Sequence, residues 1–273
     1  MIRLTCLLGS LLLACVASAD DRYIALGDSL PFGYNPLVQP PDLHKFAGYP
    51  KFVAAALELD LRNASCIGET STSFITGLAK DDLTPFIPSE GCENYRAHFP
   101  LFVHYTGPQL GYAIAQLKAH EETELVTLSI GGNDLAVLQF RCNFNVACEV
   151  AGLPGVLATY AGNLTNIFSR IRGEAGYRGQ IVLLTYYSFN YSDVPTTAAI
   201  GLVNATAASV GALYHVGIAD GFGAFAKASL PYGGDVCKAG LLIQLPNGTC
   251  DTHPSPAGQK LLASTVIRAA HSE

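Results

Sequence analysis

Short apolar runs alternate with longer amphipathic stretches along this chain. Tyr23-Ile24-Ala25-Leu26 is the first run and ends at Gly27, the pattern of a buried strand followed by a sharp turn. Tyr49 to Leu59 has helical spacing, with Phe52, Val53, Ala56 and Leu57 on one side. A second strand is expected over Leu59 to Cys66. Ser73 to Thr106 contains prolines and is weakly patterned, so a long excursion with some short helix is expected there. Pro108 to His120 repeats Leu110, Ile114 and Leu117 at helical intervals. Leu125 to Ile130 is the clearest central strand and runs into Gly131-Gly132. Helix is expected over Leu157 to Arg172, strand over Ile181 to Tyr186, helix over Thr196 to Gly211, a last strand over Leu213 to Ile218, and a closing helix over Pro256 to Ala270.

This alternation predicts an α/β domain with a parallel sheet covered by helices on both faces. Ligands bind such sheets outside the carboxyl ends of the strands. Gly27-Asp28-Ser29 and Gly131-Gly132-Asn133-Asp134 both follow predicted strands. They therefore belong on one edge of the sheet, although far apart in the chain.

The first residues stand outside this pattern. Arg3, the apolar run Leu4 to Val16 and the small residues Ala17-Ser18-Ala19 form a secretory leader over 1–19. The expected mature chain is one domain, 20–273. Leu12-Leu13-Ala14-Cys15 also resembles a lipoprotein cleavage box, which leaves Cys15 as an alternative anchored N-terminus. The run is too short for a comfortable membrane span, and no second long apolar segment occurs. A secreted, extracellular or periplasmic protein without a transmembrane span in the mature chain follows. Net charge is −6 with no block of Lys or Arg, which argues against nucleic acid as a partner.

Of eight Cys, Cys6 and Cys15 lie in the leader. The other six are Cys66, Cys92, Cys142, Cys148, Cys237 and Cys250. An even set in an exported chain reads as three disulfides. Chain order favours Cys66–Cys92, Cys142–Cys148 and Cys237–Cys250 among the 15 possible pairings. A metal site is the competing use, but no Cys-x-x-Cys pair occurs and the spacing is irregular. No metal or cofactor is expected.

Ser29 sits where a strand turns toward a helix and could project its hydroxyl from the sheet edge. Alone, Gly-Asp-Ser is ordinary turn and cap chemistry. A serine nucleophile needs a base and donors for a developing oxyanion. Of seven His, only His253 has an acid two residues before it and a proline after it. Pro254 favours extended backbone at His253, which places Asp251 on the same side as the imidazole. Asn133 carries a side-chain amide at the end of the central strand, and Gly68 offers a backbone N–H after the second. Each taken singly has a structural explanation of equal or greater weight.

Together the four blocks resemble the GDSL/SGNH hydrolase family. They are Gly27-Asp28-Ser29-Leu30 with Gly33, Asn63 to Gly68, Gly131-Gly132-Asn133-Asp134, and Asp251-Thr252-His253-Pro254. Cys66 falls where secreted members of actinobacterial type carry a disulfide, and the Gln109-Leu110 helix is also similar. The resemblance implies a flavodoxin-like (SGNH hydrolase) three-layer sandwich with a five-stranded parallel sheet, and hydrolysis of carboxylic esters. It implies Ser29 as nucleophile, His253 as base, and the Ser29 and Gly68 N–H groups with the Asn133 amide as oxyanion donors. Family substrates include short acyl esters, lipids and acetylated sugars. The family often places its acid three residues before the histidine. Cys250 occupies that position here, so either Asp251 or a backbone carbonyl orients His253. Ser255 replaces the common Asn after His-Pro.

An acyl-ester hydrolase acting on a small-molecule, lipid or acylated-sugar ester is thus the expected function, as a monomer. An acyltransferase on the same residues and a non-catalytic secreted binding domain of the same fold are the alternatives. No Gly-x-Ser-x-Gly elbow, His-Glu-x-x-His site or phosphate-binding Gly-x-x-x-x-Gly-Lys loop is present. Phe32, Tyr34, Leu37 and Val38, with the aromatic stretch from Phe86 to Tyr105, could line an apolar acyl pocket or pack a core.

Overall fold

The computed structural model describes residues 21–77, 91–96 and 98–271. The expected leader with Cys15, and the part of the 73–106 excursion that includes Phe86, lie outside the described residues. Five parallel strands form the centre: β1 (Arg22–Gly27), β2 (Asp60–Asn63), β3 (Thr123–Ser129), β4 (Gln180–Leu184) and β5 (Gly217–Ala219). Their order is β2-β1-β3-β4-β5. Ten α-helical segments are described: α1 (Ser29–Phe32), α2 (Tyr49–Leu57), α3 (Ser71–Thr76), α4 (Glu93–Arg96), α5 (Gln109–Ala119), α6 (Gly132–Arg141), α7 (Val146–Ser169), α8 (Val194–Ala212), α9 (Gly221–Ser229) and α10 (Pro256–Ala270). An antiparallel hairpin, β6 (Leu242–Gln244) with β7 (Cys250–Pro254), precedes α10.

The apolar runs split by strand alternation into two cores. Ile24, Leu26, Val126, Leu128, Ile181 and Leu183 face one helical layer, which includes α5, α7 and α8. Tyr23, Ala25, Leu125, Val182 and Leu184 face the other, which includes α2, α9 and α10. Both faces are buried, which is why these strands read as continuous apolar runs. The sequence order reverses direction at β1 and β3, which pair directly. That junction is where ligands bind open parallel sheets.

Three disulfides are formed, Cys66–Cys92, Cys142–Cys148 and Cys237–Cys250. No helix among the described residues is long and apolar enough to cross a membrane.

Several boundaries differ from the expected ones. The strand expected over 59–66 ends at Asn63, and its continuation to Cys66 is irregular backbone. Gly132 opens a helix, α6, not foreseen from the pattern. The next helix starts at Val146, not Leu157, because the Asn145 side chain caps it by accepting from the Cys148 N–H at 3.0 Å. Fully buried residues of α7 are confined to Tyr160, Leu164, Ile167 and Phe168, and its first half adds only the partly buried Leu153 and Leu157 to the core. The last parallel strand begins at Gly217, not Leu213. Leu213 ends α8 as its C-cap and is 74% exposed.

Leu128 is 1% exposed and lies between Leu26 and Leu183 in register. Leu128→Ala should cost about 2–5 kcal/mol by creating a central cavity. Urea denaturation measures this, and a loss below about 1 kcal/mol would mean the site collapses around the missing side chain.

Candidate active site

β1 delivers Ser29 to the sheet edge through a turn that only glycine fits. Gly27 has φ +126°, and a Cβ there would lie 2.0 Å from the Ser129 carbonyl oxygen. Asp28 then caps α1, its Oδ1 accepting from the Leu30 N–H at 3.0 Å. This places Ser29 at the first position of α1, only 6% exposed.

The hairpin brings His253 to the same point. His253 Nε2 lies 2.8 Å from Ser29 Oγ, between residues 224 apart in sequence. Its Nδ1 lies 2.5 Å from Asp251 Oδ1, which also accepts from the His253 backbone N–H at 2.9 Å. Extended backbone through β7 puts the two side chains on one side, as residues two apart in a strand require. Burial opposes ionisation of Asp251, but the hydrogen bonds and charge of His253 outweigh it and hold the carboxyl below its ordinary range. With Nδ1–H donated to Asp251, the Nε2 lone pair faces the serine hydroxyl.

The remaining expected residues meet here too. Gly68 follows β2 and Asn133 follows β3 at the first turn of α6. Asn133 Nδ2 donates to the Glu69 carbonyl oxygen at 2.9 Å, which ties the two loops together. The Cys66 N–H donates to the Gly27 oxygen at 2.9 Å, and the Gly91 N–H to the Gly68 oxygen at 3.0 Å. Cys66–Cys92 closes this loop covalently. Among the described residues, the backbone N–H groups of Ser29 and Gly68 have no acceptor. One N–H of the Asn133 amide is committed to Glu69, and the group carries two. No group of three His, Cys, Asp or Glu among the described residues is arranged to hold a metal ion.

Three buried carboxyl groups support these loops. Glu69 accepts from Ser73 Oγ at 2.5 Å and from Gln109 Nε2 at 2.9 Å. Gln109 also brackets Gly27, its Oε1 accepting from the N–H at 2.6 Å and its Nε2 donating to the oxygen at 3.0 Å. Asp134 receives the Ser71 N–H and hydroxyl at 2.9 and 2.5 Å. Asp28 receives the Tyr186 hydroxyl. Burial raises all three pKa values, Glu69 to about 7 and Asp28 to about 6. The available sequence signals were position alone: Gln109 near the start of an expected helix, and Tyr186 at the last position of an expected strand that in the structure ends at Leu184.

Beside the pair lies an aromatic wall. Phe32, Phe46 and Ile67 form a buried cluster with Tyr34, Tyr95, Phe99 and Phe102 packed against it. The Tyr34 ring meets His253 edge-on at 4.8 Å between centroids, and Phe99 meets Tyr34 at 5.5 Å.

The profile of the GDSL-like Lipase/Acylhydrolase family matches residues 25–261. The chain belongs to this family. Its match takes in all four sequence blocks. No curated protein sequence matches the chain. Among solved structures, similarity extends to an extracellular lipase from Streptomyces rimosus (19% identity, 91% of this chain and 99% of that one, TM-score 0.60). A phospholipase A1 from Streptomyces albidoflavus is similar at 20% identity over 93% and 99% of the two chains, TM-score 0.56. An acetylxylan esterase from Geobacillus stearothermophilus is similar at 17% identity over 94% and 96%, TM-score 0.55. At these identities the likeness establishes the shared fold, the three-layer sandwich expected from the sequence.

The buried acids give this hydrolase-family chain a pH signature. Folded Glu69 keeps its proton up to about pH 7, whereas the ordinary glutamate value is 4.5. The folded state therefore binds more protons between these values, and this contribution to stability falls as pH rises through them. Glu69→Gln removes it, with Ser73 Oγ free to rotate and accept. Thermal melts from pH 5 to 8 should show wild-type Tm falling relative to the variant. Parallel curves would contradict the assignment.

Proposed function

We propose that this protein is an exported hydrolase of carboxylic esters, working through an acyl-enzyme on Ser29. The observation that carries the reading is the continuous chain Ser29 Oγ, His253 Nε2, His253 Nδ1, Asp251. In this mechanism Ser29 Oγ attacks the ester carbonyl carbon and passes its proton to His253 Nε2. The carbonyl oxygen becomes an oxyanion held by the N–H groups of Ser29 and Gly68 and by Asn133 Nδ2. His253 returns the proton to the departing alkoxide, which leaves as an alcohol. Water then attacks the acyl-enzyme, His253 takes its proton, and collapse releases the acid and restores Ser29. Asp251 holds the imidazole tautomer and stabilises its cation.

The aromatic wall beside His253 supports an apolar acyl chain as the preferred group on the ester. An oxidising compartment is supported by the three disulfides, and residues 1–19 are assigned as the export signal.

Ser29→Ala should abolish turnover of nitrophenyl esters and prevent labelling by a fluorophosphonate, with the fold retained by circular dichroism. Asp251→Asn should lower kcat by roughly 10³–10⁴-fold through loss of the correct tautomer. Residual activity of wild-type size in Ser29→Ala would end the proposal. So would a panel of esters with no turnover by the wild type.

The acyl preference has its own test. kcat/KM should rise by up to roughly fourfold per methylene as the acyl chain lengthens from acetyl, until the wall is filled. Phe99→Ala should flatten that rise and leave acetate hydrolysis nearly unchanged. A flat profile in the wild type would contradict an apolar acyl site.

A further inference from the structure

One ring connects the turn that carries Ser29 to the turn that carries Asn133. Tyr186 follows β4 at the carboxyl edge of the sheet. Its hydroxyl donates to Asp28 Oδ2, while Asp28 Oδ1 caps the Leu30 N–H beside Ser29. Its ring lies against Gly132, where a Cβ would fall 2.5 Å from Tyr186 Cε1. Its own backbone is clamped from α8: Asn204 Oδ1 accepts from the Tyr186 N–H at 2.9 Å, and Asn204 Nδ2 donates to its oxygen at 2.7 Å. Asn204 is 9% exposed, so this clamp is shielded from competing water.

We infer that Tyr186 is a positioning residue for the reaction: it orients the Asp28 carboxylate beneath the Ser29 turn and sets the spacing between that turn and the Gly132-Asn133 turn. The inference rests on the ester-hydrolase reading above. An ionised Asp28 serves two ends. It fixes the Ser29 peptide through Leu30, and its charge acts on His253 in the same sense as that of Asp251. The groups around Asp28 leave Tyr186 as its side-chain donor. Burial raises the Asp28 pKa to about 6, the Tyr186 and Leu30 hydrogen bonds and the His253 charge lower it, and Asp134 raises it. Tyr49, Tyr160 and Tyr187 also face it, and burial holds each phenol in its neutral form. Removing the hydroxyl therefore favours protonated Asp28 near neutral pH, when charge is needed to stabilise the imidazolium.

The test compares wild type, Tyr186→Phe, Asp28→Asn and the double variant by kcat and KM from pH 5.5 to 9 on a nitrophenyl ester. Fluorophosphonate labelling and melting curves are run on the same samples. Tyr186→Phe should lower kcat at pH 7 about tenfold, as expected for losing a hydrogen bond to a charged group. KM should stay within about twofold. The acid limb of kcat/KM should move to higher pH, with activity partly recovered at pH 9. Adding Tyr186→Phe to Asp28→Asn should change little, because one contact is removed twice. Gly132→Ala, which displaces the ring and keeps the hydroxyl, should shift the limb the same way and serves if Tyr186→Phe does not fold. A folded variant with an unmoved pH profile and kcat within about twofold overturns the positioning role, as does full additivity with Asp28→Asn. Wild type that neither labels nor turns over ester overturns the hydrolase reading and this role together, and the failing sample tells the two cases apart.

Discussion

The 2.8 Å contact between Ser29 Oγ and His253 Nε2 joins residues 224 positions apart, and the organisation of this edge of the molecule follows from keeping it. One partner stands on the central sheet, the other on a two-stranded hairpin outside it. The hairpin is held from several sides. Cys237–Cys250 ties the start of β7 to the segment before β6, the Ser255 N–H donates to the Leu241 oxygen at 2.8 Å, and Ser255 Oγ donates to the Gly240 oxygen at 2.7 Å. Gln259 on α10 then reaches the nucleophile side directly. It accepts from the Tyr49 N–H at 2.7 Å and donates to the Leu30 oxygen at 3.2 Å. α10 is thereby tied to the Ser29 turn, and the disulfide fixes the residue next to Asp251.

A second constraint is the burial of Asp28, Glu69 and Asp134, whose hydrogen bonds among the described residues come from hydroxyl, amide and backbone donors, with Arg96 acting on Glu69 by charge. A buried carboxyl is costly unless donors satisfy it or it takes up a proton. Hydroxyl, amide and backbone N–H donors do so here. Each acid anchors one irregular segment at the carboxyl ends of the strands, where ladder hydrogen bonding has stopped. In the proposed mechanism this anchoring supplies the preorganisation that oxyanion stabilisation requires. The cost is a stability that declines as pH rises through the raised pKa values.

Much of this was legible in the chain. Strands buried on both faces leave long apolar runs, so β1, β3 and β4 stand out, and their termini locate Ser29 and Asn133. Pro254 made the extended geometry at His253 readable, and with it the same-side placement of Asp251. Of the two partners the sequence left open for the His253 ring, the proposed mechanism takes the Asp251 carboxylate, which lies 2.5 Å from Nδ1. Less was legible where burial is local or absent. The first half of α7 packs only Leu153 and Leu157 partly against the core, and α6 begins on Gly132, a residue that reads as a turn. The supporting roles of Tyr186 and Gln109 escaped notice because their partners are distant in sequence: 158 residues separate Tyr186 from Asp28, and 82 separate Gln109 from Gly27. No periodicity reports such pairs.

The most direct test of the account is intact-protein and peptide mass spectrometry of wild-type enzyme quenched in acid during turnover of a slow nitrophenyl ester. The account predicts a transient mass increase equal to the acyl group, mapped to Ser29, together with a burst of nitrophenol equal to the enzyme concentration. Steady turnover with no acyl adduct, or an adduct on any residue other than Ser29, would contradict it.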